Sequence, residues 1–399
     1  MAKKHLPLVV SLQFLLALTL GCGSSNTMPP PPPAPKSEFL YLMTFQPPAP
    51  NARLMTFKLD PTTGILSSPS TMAVPLTFGV AVDPTSRFLY SSDGNFLAPA
   101  INIFSIDPKT GSLAPDGTFL LTSICNLCPP ASAPGALAID AKGAFLYYGS
   151  SSFGNGLSEE IGGLSVTAAT GTLNLVTGSP FPADDVPFGV LVHPSGHFFY
   201  TENTPNALVF PLPLRSVSGF SIDPSTGALA PMLGSPFTPP VDADLTAFAI
   251  HPTGKFMYAS AGSAANGIVA WNIDSTTGSL TALAASPFAT GTTLYGVTIT
   301  PSGKFLYSPN GANGGISGFT IDSASGALAP ISGSPFDASV WWGECVIDPS
   351  GKLLVAVDGK NKAIELFSID SSTGALTRLG NPTPIGAVAV SVVMTKAPQ

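Results

Sequence analysis

The chain has 399 residues, of which only 10% are charged, with 40 glycines, 42 prolines and a formal net charge of −7 at pH 7. That acidic balance excludes nucleic acid as a partner, because phosphate neutralisation needs a basic surface, and it disfavours electrostatic binding to anionic lipid. So much glycine and proline suits tight turns between short strands, and no long helical periodicity is present.

Lys3 and Lys4 precede an apolar run from Leu6 to Leu20 that closes on Gly21-Cys22. Broken by Pro7, Ser11 and Gln13, the run is short for a membrane span, so residues 1–22 read as an export signal. Small residues before a cysteine resemble a bacterial lipoprotein box, although Thr19 stands where leucine is usual. Cys22 is the expected lipidation site, with ordinary secretion as the alternative. The expected location is the bacterial cell envelope, periplasmic or on the outer membrane, with that lipid as the only membrane contact. Residues 23–37 carry the proline run Pro29 to Pro33 and read as a linker, stiff up to about 45 Å if polyproline II. Without residues 1–22, 14 basic residues face 23 acidic ones, a net charge near −9.

From residue 38 to 395 two turn signatures alternate. The first joins two apolar runs, as in Val192-His193-Pro194-Ser195-Gly196-His197-Phe198-Phe199-Tyr200 and Ile347-Asp348-Pro349-Ser350-Gly351-Lys352-Leu353. Proline presets one turn dihedral and glycine supplies positive φ, while the flanks are β-branched or aromatic and too short for helices. The second signature, Asp-x-x-Thr/Ser-Gly-x-Leu, begins at Asp60, Asp107, Asp223, Asp274, Asp322 and Asp370, with Thr167 replacing Asp in the remaining copy. A strand precedes each copy, and another follows it toward Ser-Pro-Phe at Ser179, Ser235, Ser286 and Ser334. One period of about 50 residues therefore holds four antiparallel strands, the signature of a propeller blade.

Seven second-type turns and six first-type turns are reconciled by the ends of the chain. Phe39-Leu40-Tyr41 matches the second strand of a blade, and Gly386–Val390 matches an innermost strand. The expected fold is all-β, a seven-bladed β-propeller whose N- and C-terminal strands share one blade and leave no open sheet edge.

The alternation of Asp-Pro-Ser-Gly-Lys-Phe-Leu-Tyr with Phe-Ser-Ile-Asp-x-x-Thr-Gly-Ala-Leu resembles the propeller lactonase family, which contains the 6-phosphogluconolactonase propellers and the fungal carboxymuconate lactonising enzymes. The resemblance covers roughly residues 38–395 and implies fold and kinship. It also implies a catalytic pattern: Pro-Arg-His entering one inner strand, and Asn-Glu leaving the second. Aligned on Val192-His193-Pro194, Pro187 and Asn203 match, but Phe188 fills the Arg slot, Gly189 the His slot and Thr204 the Glu slot. Glu202 lies two positions early, in what reads as a different orientation along the strand.

Both turn signatures fall on one face, so their acids, with His193, His197 and His251, read as turn residues. A Ser-His-Asp triad has no base at the opposite mouth. The mouth is built from the other loops, where binding residues concentrate on a rigid scaffold. Its candidates are Phe78, Asp93, Asp184, Asp185, Phe188, Asp242, Asp244, Tyr295, Trp341, Trp342, Glu344 and Asp358. Carboxylates beside exposed rings suit sugars, cations or a positively charged protein segment. Cys125 and Cys128 are expected to staple their own loop as a disulfide, since zinc would need a second ligand pair. Cys345 reads as a buried strand residue. No spacing resembles a calcium loop, and no metal or cofactor is assigned.

The expected function is therefore binding of a small molecule, glycan or protein at the mouth by a monomer lacking the family's chemistry. The alternative is a lactone hydrolase with relocated groups, for which Glu202 and Arg215 are the candidate pair. A purely structural envelope scaffold is the third reading.

Overall fold

The computed structural model describes residues 38–45, 52–75, 79–95, 98–121, 132–152, 160–184, 186–204, 215–241, 243–262, 267–290, 296–311, 314–338 and 343–395. The expected signal, linker and Cys125–Cys128 staple lie outside these residues.

The two turn signatures close by different hydrogen bonds. In the first, Asp348 Oδ1 accepts the backbone N–H groups of Lys352 and Leu353 at 2.7 and 2.6 Å, and Oδ2 that of Ser350 at 3.0 Å. In the second, Asp274 Oδ1 accepts from Thr276 and Thr277 at 2.9 and 2.7 Å, and Gly278 closes the turn at φ +74°. Side-chain carboxylates thus satisfy the backbone donors that the reversals leave unpaired.

Seven antiparallel sheets result. From the innermost strand outwards, blade 2 is Val80–Val82, Phe88–Asp93, Ala100–Ile106 and Leu113–Leu120. Blade 3 runs Ser132–Ile139, Phe145–Ser152, Glu160–Val166, Leu173–Leu175; blade 4, Val186–Val192, Phe198–Thr204, Ser216–Ile222, Leu229–Pro231. Blade 5 is Leu245–Ile250, Phe256–Ala261, Gly267–Ile273, Leu280–Ala282; blade 6, Thr298–Ile299, Phe305–Pro309, Ile316–Ile321, Leu328–Pro330. Blade 7 is Cys345–Ile347, Leu353–Asp358, Ala363–Ile369 and Leu376–Pro384. Blade 1 joins both ends of the chain: Val388–Met394 is its innermost strand, followed by Glu38–Phe45, Ala52–Asp60 and Ile65–Leu66. Leu40 pairs with Met394 and Phe45 with Val388, so the expected closure is present. Each innermost strand packs beside the next around the circle, and Cys345–Ile347 packs beside Val388–Met394.

The fourth strands depart from the regular unit. In blades 4 to 6 the fourth strand is only 3 residues long, whereas Leu113–Leu120 spans 8 and Leu376–Pro384 spans 9. The short strands of blades 4 to 6 go with the Ser-Pro-Phe motif, which blades 2 and 7 lack, although blade 1 has a fourth strand of 2 residues without it. Ser235 Oγ accepts the Gly219 N–H at 3.1 Å and Ser334 Oγ that of Gly318 at 2.8 Å, replacing ladder bonds with side-chain bonds.

Blades are joined by one repeated contact. The phenol of Tyr200 donates to the Gly278 carbonyl of the next blade at 2.7 Å. Tyr41, Tyr90, Tyr147, Tyr258 and Tyr307 do the same to Gly111, Gly171, Gly227, Gly326 and Gly374. These rings are fully buried, and burial raises their phenol pKa values. His193 and His251 add a second bridge in blades 4 and 5. Each Nδ1 accepts a backbone N–H of its own turn, from Ser195 and Thr253, which leaves Nε2–H to donate to Gly254 and Gly303 of the next blade at 2.8 and 2.9 Å. Both histidines are thus turn residues.

Replacing Tyr200 by Phe strands the buried Gly278 carbonyl, so the folded state should lose about 1–3 kcal/mol in a denaturant melt. A Tyr200→Phe melt within about 0.3 kcal/mol of wild type would show that the phenols are not structural joints.

Candidate functional site

The best-defined part of the mouth lies where blade 4 meets blade 5. Pairing of Val186–Val192 with Phe198–Thr204 runs Pro187 to Asn203 and then Gly189 to Glu202, so Phe188 is the extra residue of a β-bulge. A bulge re-aims the side chain it carries, and Phe188 is 52% exposed. Gly189 faces Glu202, and a β-carbon there would lie 3.1 Å from Glu202 Oε2, so this glycine leaves room for the carboxyl. The different orientation expected of Glu202 needs correction. Two residues is one full pleat repeat, so Glu202 shares the sheet face of position 204 and is displaced along the strand by about 7 Å.

Glu202 and Arg215 are brought together. Arg215 Nη1 reaches Glu202 Oε1 at 3.4 Å and donates to the Leu245 carbonyl at 3.2 Å, while Nε donates to Asp244 Oδ1 at 2.9 Å. The Glu202 side chain is 1% exposed and that of Asp244 is 52% exposed. Burial pushes the Glu202 carboxyl up to about 8 against the opposing pull of Arg215. Burial thus favours the protonated acid, a hydrogen-bond donor beside a cation, over the carboxylate.

A polar chain backs the pair. Asp184 accepts the Ser218 hydroxyl at 2.8 Å, and Asn203 Nδ2 donates to Ser216 and Ser218 at 2.9 and 2.8 Å. Asn203 Oδ1 is buried without a hydrogen-bond partner.

Other expected mouth residues do different work. Asp93 is buried and its Oδ1 accepts the Asn95 N–H at 3.0 Å. Asp358, also buried, takes the Asn361 backbone and side-chain donors, each at 2.7 Å. Both carboxylates close their own loops. Glu344 sits apart from the Glu202 cluster, at the seam between blades 7 and 1, where Oε2 accepts the Val392 N–H at 2.9 Å. Desolvation of its carboxyl raises the pKa to about 7, although the residue as a whole is exposed. Cys345 is a free, buried thiol whose pKa is pushed up by burial and then by Glu344. Phe78, Asp185, Asp242, Tyr295, Trp341 and Trp342, like Cys22, lie outside the described residues.

Sequence reasoning overlooked a second charged cluster. Arg378 pairs with both Glu365 and Asp337 and lies over the Phe367 ring, 5.6 Å from its centroid. Its signal was one glutamate in the otherwise uncharged strand Ala363–Ile369. Among the described residues, no group of three or more His, Cys, Asp or Glu side chains is placed to hold a metal ion.

The family model described as Lactonase, 7-bladed beta-propeller matches residues 214–335 and 248–393. The chain is a lactonase-like seven-bladed propeller. Among solved structures, it is similar to a candidate 6-phosphogluconolactonase of Bacteroides uniformis ATCC 8492. That match has a TM-score of 0.71 at 18% identity and covers 90% of this chain and 100% of that one. The periplasmic gluconolactonase of Pseudomonas aeruginosa gives a TM-score of 0.67 at 15% identity, covering 91% of this chain and 100% of that one. A Lactobacillus plantarum protein gives 0.65 at 17%, covering 90% and 100%. At such identities the likeness is one of fold. No curated protein matches the chain.

For this lactonase-like propeller the Glu202 acid makes a pH signature. Its folded-state pKa of about 8 exceeds the unfolded value, so its contribution is full below about pH 4.3 and is lost as pH rises through 8. Glu38 and Glu344, each raised to about 7, slope the same way, so the test is a difference between proteins. Melting temperatures of wild type and Glu202→Gln measured from pH 4.5 to 8.5 should diverge, the variant falling less. Parallel curves would show that Glu202 is ionised throughout.

Proposed function

We propose that the protein is an exported, lipid-anchored propeller that binds a small polyhydroxylated ligand, a sugar or sugar-derived molecule, at the mouth between blades 4 and 5. One observation carries this reading: Arg215 is already engaged by Glu202, Asp244 and the Leu245 carbonyl. Opening a lactone needs a base for water and a donor for the developing oxyanion. Here burial disfavours the ionised carboxyl and the guanidinium is committed to its own neighbours. The same groups suit hydroxyl recognition. Asp184 and Asp244, both exposed, offer oxygen partners, and the exposed Phe188 ring offers a flat surface for the C–H face of a sugar. Carboxylates around the cleft disfavour a phosphorylated ligand.

The proximity of Glu202 and Arg215 in a lactonase-like fold supports a second reading, lactone hydrolysis. Ionised Glu202 would take a proton from water as its oxygen attacks the lactone carbonyl. Arg215 would stabilise the tetrahedral oxyanion, and the ring oxygen would leave as an alcohol carrying that proton. Activity would then rise with pH through about 8.

Two measurements separate the readings. A thermal-shift panel of neutral sugars, amino sugars and sugar lactones should raise the melting temperature with at least one class, since specific ligands stabilise the folded state. Hydrolysis of glucono-1,5-lactone should be no faster with wild type than with Glu202→Gln; hydrolysis lost in that variant establishes the enzyme reading. For the anchor, Cys22→Ser should move the protein from the membrane fraction to the soluble one and abolish fatty-acid labelling. A membrane-bound Cys22→Ser protein overturns lipidation.

A further inference from the structure

A second cleft opens on the opposite face, between the first-type turns of blades 6 and 7. It is lined by Thr300, Ser302, Lys304, Ser350, Lys352 and Ser371. It lies where the repeat departs from its two predecessors. In blades 4 and 5 an imidazole spans the gap to the next blade's glycine carbonyl, from His193 to Gly254 and from His251 to Gly303. Blade 6 has Thr300 in that slot. The shorter side chain turns back into its own hairpin, where Oγ1 accepts the Phe305 N–H at 3.1 Å and meets Ser302 Oγ at 3.1 Å. The space toward blade 7 therefore stays open.

Thr300 also removes the carboxylate that Asp83, Asp140 and Asp348 place at this slot in other blades. Of the acids nearby, Asp348 is fully buried and spends both oxygens on Ser350, Lys352 and Leu353. Asp370 folds its Oδ1 onto Ser372 and Thr373 of its own turn. Lys304 and Lys352 are exposed and make no ion pair among the described residues. Two lysines thus line one recess together with hydroxyl-bearing residues on a chain that is otherwise acidic.

We propose that this cleft binds a phosphate-type oxyanion, held by the ammonium groups of Lys304 and Lys352 with the Ser371 hydroxyl as a further donor. Lysine recognises such groups as a point charge with rotatable donors, and a hydroxyl adds a neutral hydrogen bond. The phosphate could belong to a soluble ester or to an envelope lipid headgroup; the chemistry recognised is the same. The site stands on the turn face and is independent of the mouth.

Titration of inorganic phosphate into the purified protein at constant ionic strength, followed calorimetrically, should show saturable binding. The double variant Lys304→Gln/Lys352→Gln should weaken it roughly tenfold or more, by loss of two charge-assisted bonds. Lys255→Gln, in the equivalent slot beside the His251-filled gap, should leave it unchanged. The exposed positions should leave the melting temperature of each variant near wild type. In a second arm the Cys22→Ser protein meets vesicles of phosphatidylglycerol or of phosphatidylcholine. Association with the former that inorganic phosphate displaces assigns the lipid source; phosphate binding without vesicle association assigns a soluble ester. No saturable phosphate binding, or equal weakening by Lys255→Gln, would overturn the proposal.

Discussion

The ring depends on a joint between neighbouring blades that neither blade could make alone. Each Phe-x-Tyr run delivers two groups to the second-type turn of the next blade. The aromatic ring of the first residue packs on that turn's glycine, and the tyrosine hydroxyl donates to the same residue's carbonyl. At Gly278 a β-carbon would lie 2.7 Å from the Phe198 ring, while the backbone sits at φ +74°. Only glycine satisfies both demands. The two signatures are therefore halves of one contact, spaced 67 to 81 residues apart in sequence but always one blade apart in space. The joint recurs six times. At the seventh, Leu353 and Val355 replace Phe and Tyr, and the side chains nearest Gly64 are Leu379 and Leu353. The seam that lacks the phenol is the one closed by sharing a sheet between Glu38–Phe45 and Val388–Met394.

Because these joints sit on the turn face, the other face is released from structural duty. Loops there differ from blade to blade without disturbing the ring, and this freedom lets Arg215 of blade 4 reach Asp244 and Leu245 of blade 5. The innermost strands contribute bulges at their mouth ends, in blades 1, 4 and 5 among others. Each bulge turns one more side chain than a regular ladder would, which is how Phe188 becomes exposed beside a buried carboxyl.

Repeat period, blade number and ring closure were legible because each rests on local chemistry: glycine at positive φ, aspartate on a turn, proline beside it. The pairing of Phe39–Tyr41 with the C-terminal strand could be inferred from counting incomplete units. The mouth was legible only in composition. Asp93 and Asp358 look like ligand carboxylates in a list of acids, yet each is consumed by a donor two or three residues on. Asp244 and Arg215 are separated by 29 residues and by a blade boundary, and no periodicity predicts their meeting. Glu365, Arg378 and Asp337 escaped for the same reason. Side-chain partners across blades depend on three-dimensional offsets that pattern does not encode.

The state of Glu202 follows from a contest of magnitudes. A carboxylate so fully buried loses most of its hydration, a cost of several kcal/mol even after relaxation. The Arg215 guanidinium offsets part of it, but its Nη1 stands 3.4 Å away and divides its attention with the Leu245 carbonyl, while Asp244 competes through Nε. Desolvation wins, and the carboxyl's pKa is raised to about 8. A better-aligned arginine would have produced an ionised base poised for hydrolysis. A more distant one would have left an ordinary buried acid. The observed geometry lies between these, so a change that freed Arg215 from Asp244 would shift Glu202 toward ionisation and move the site toward the chemistry of a lactonase.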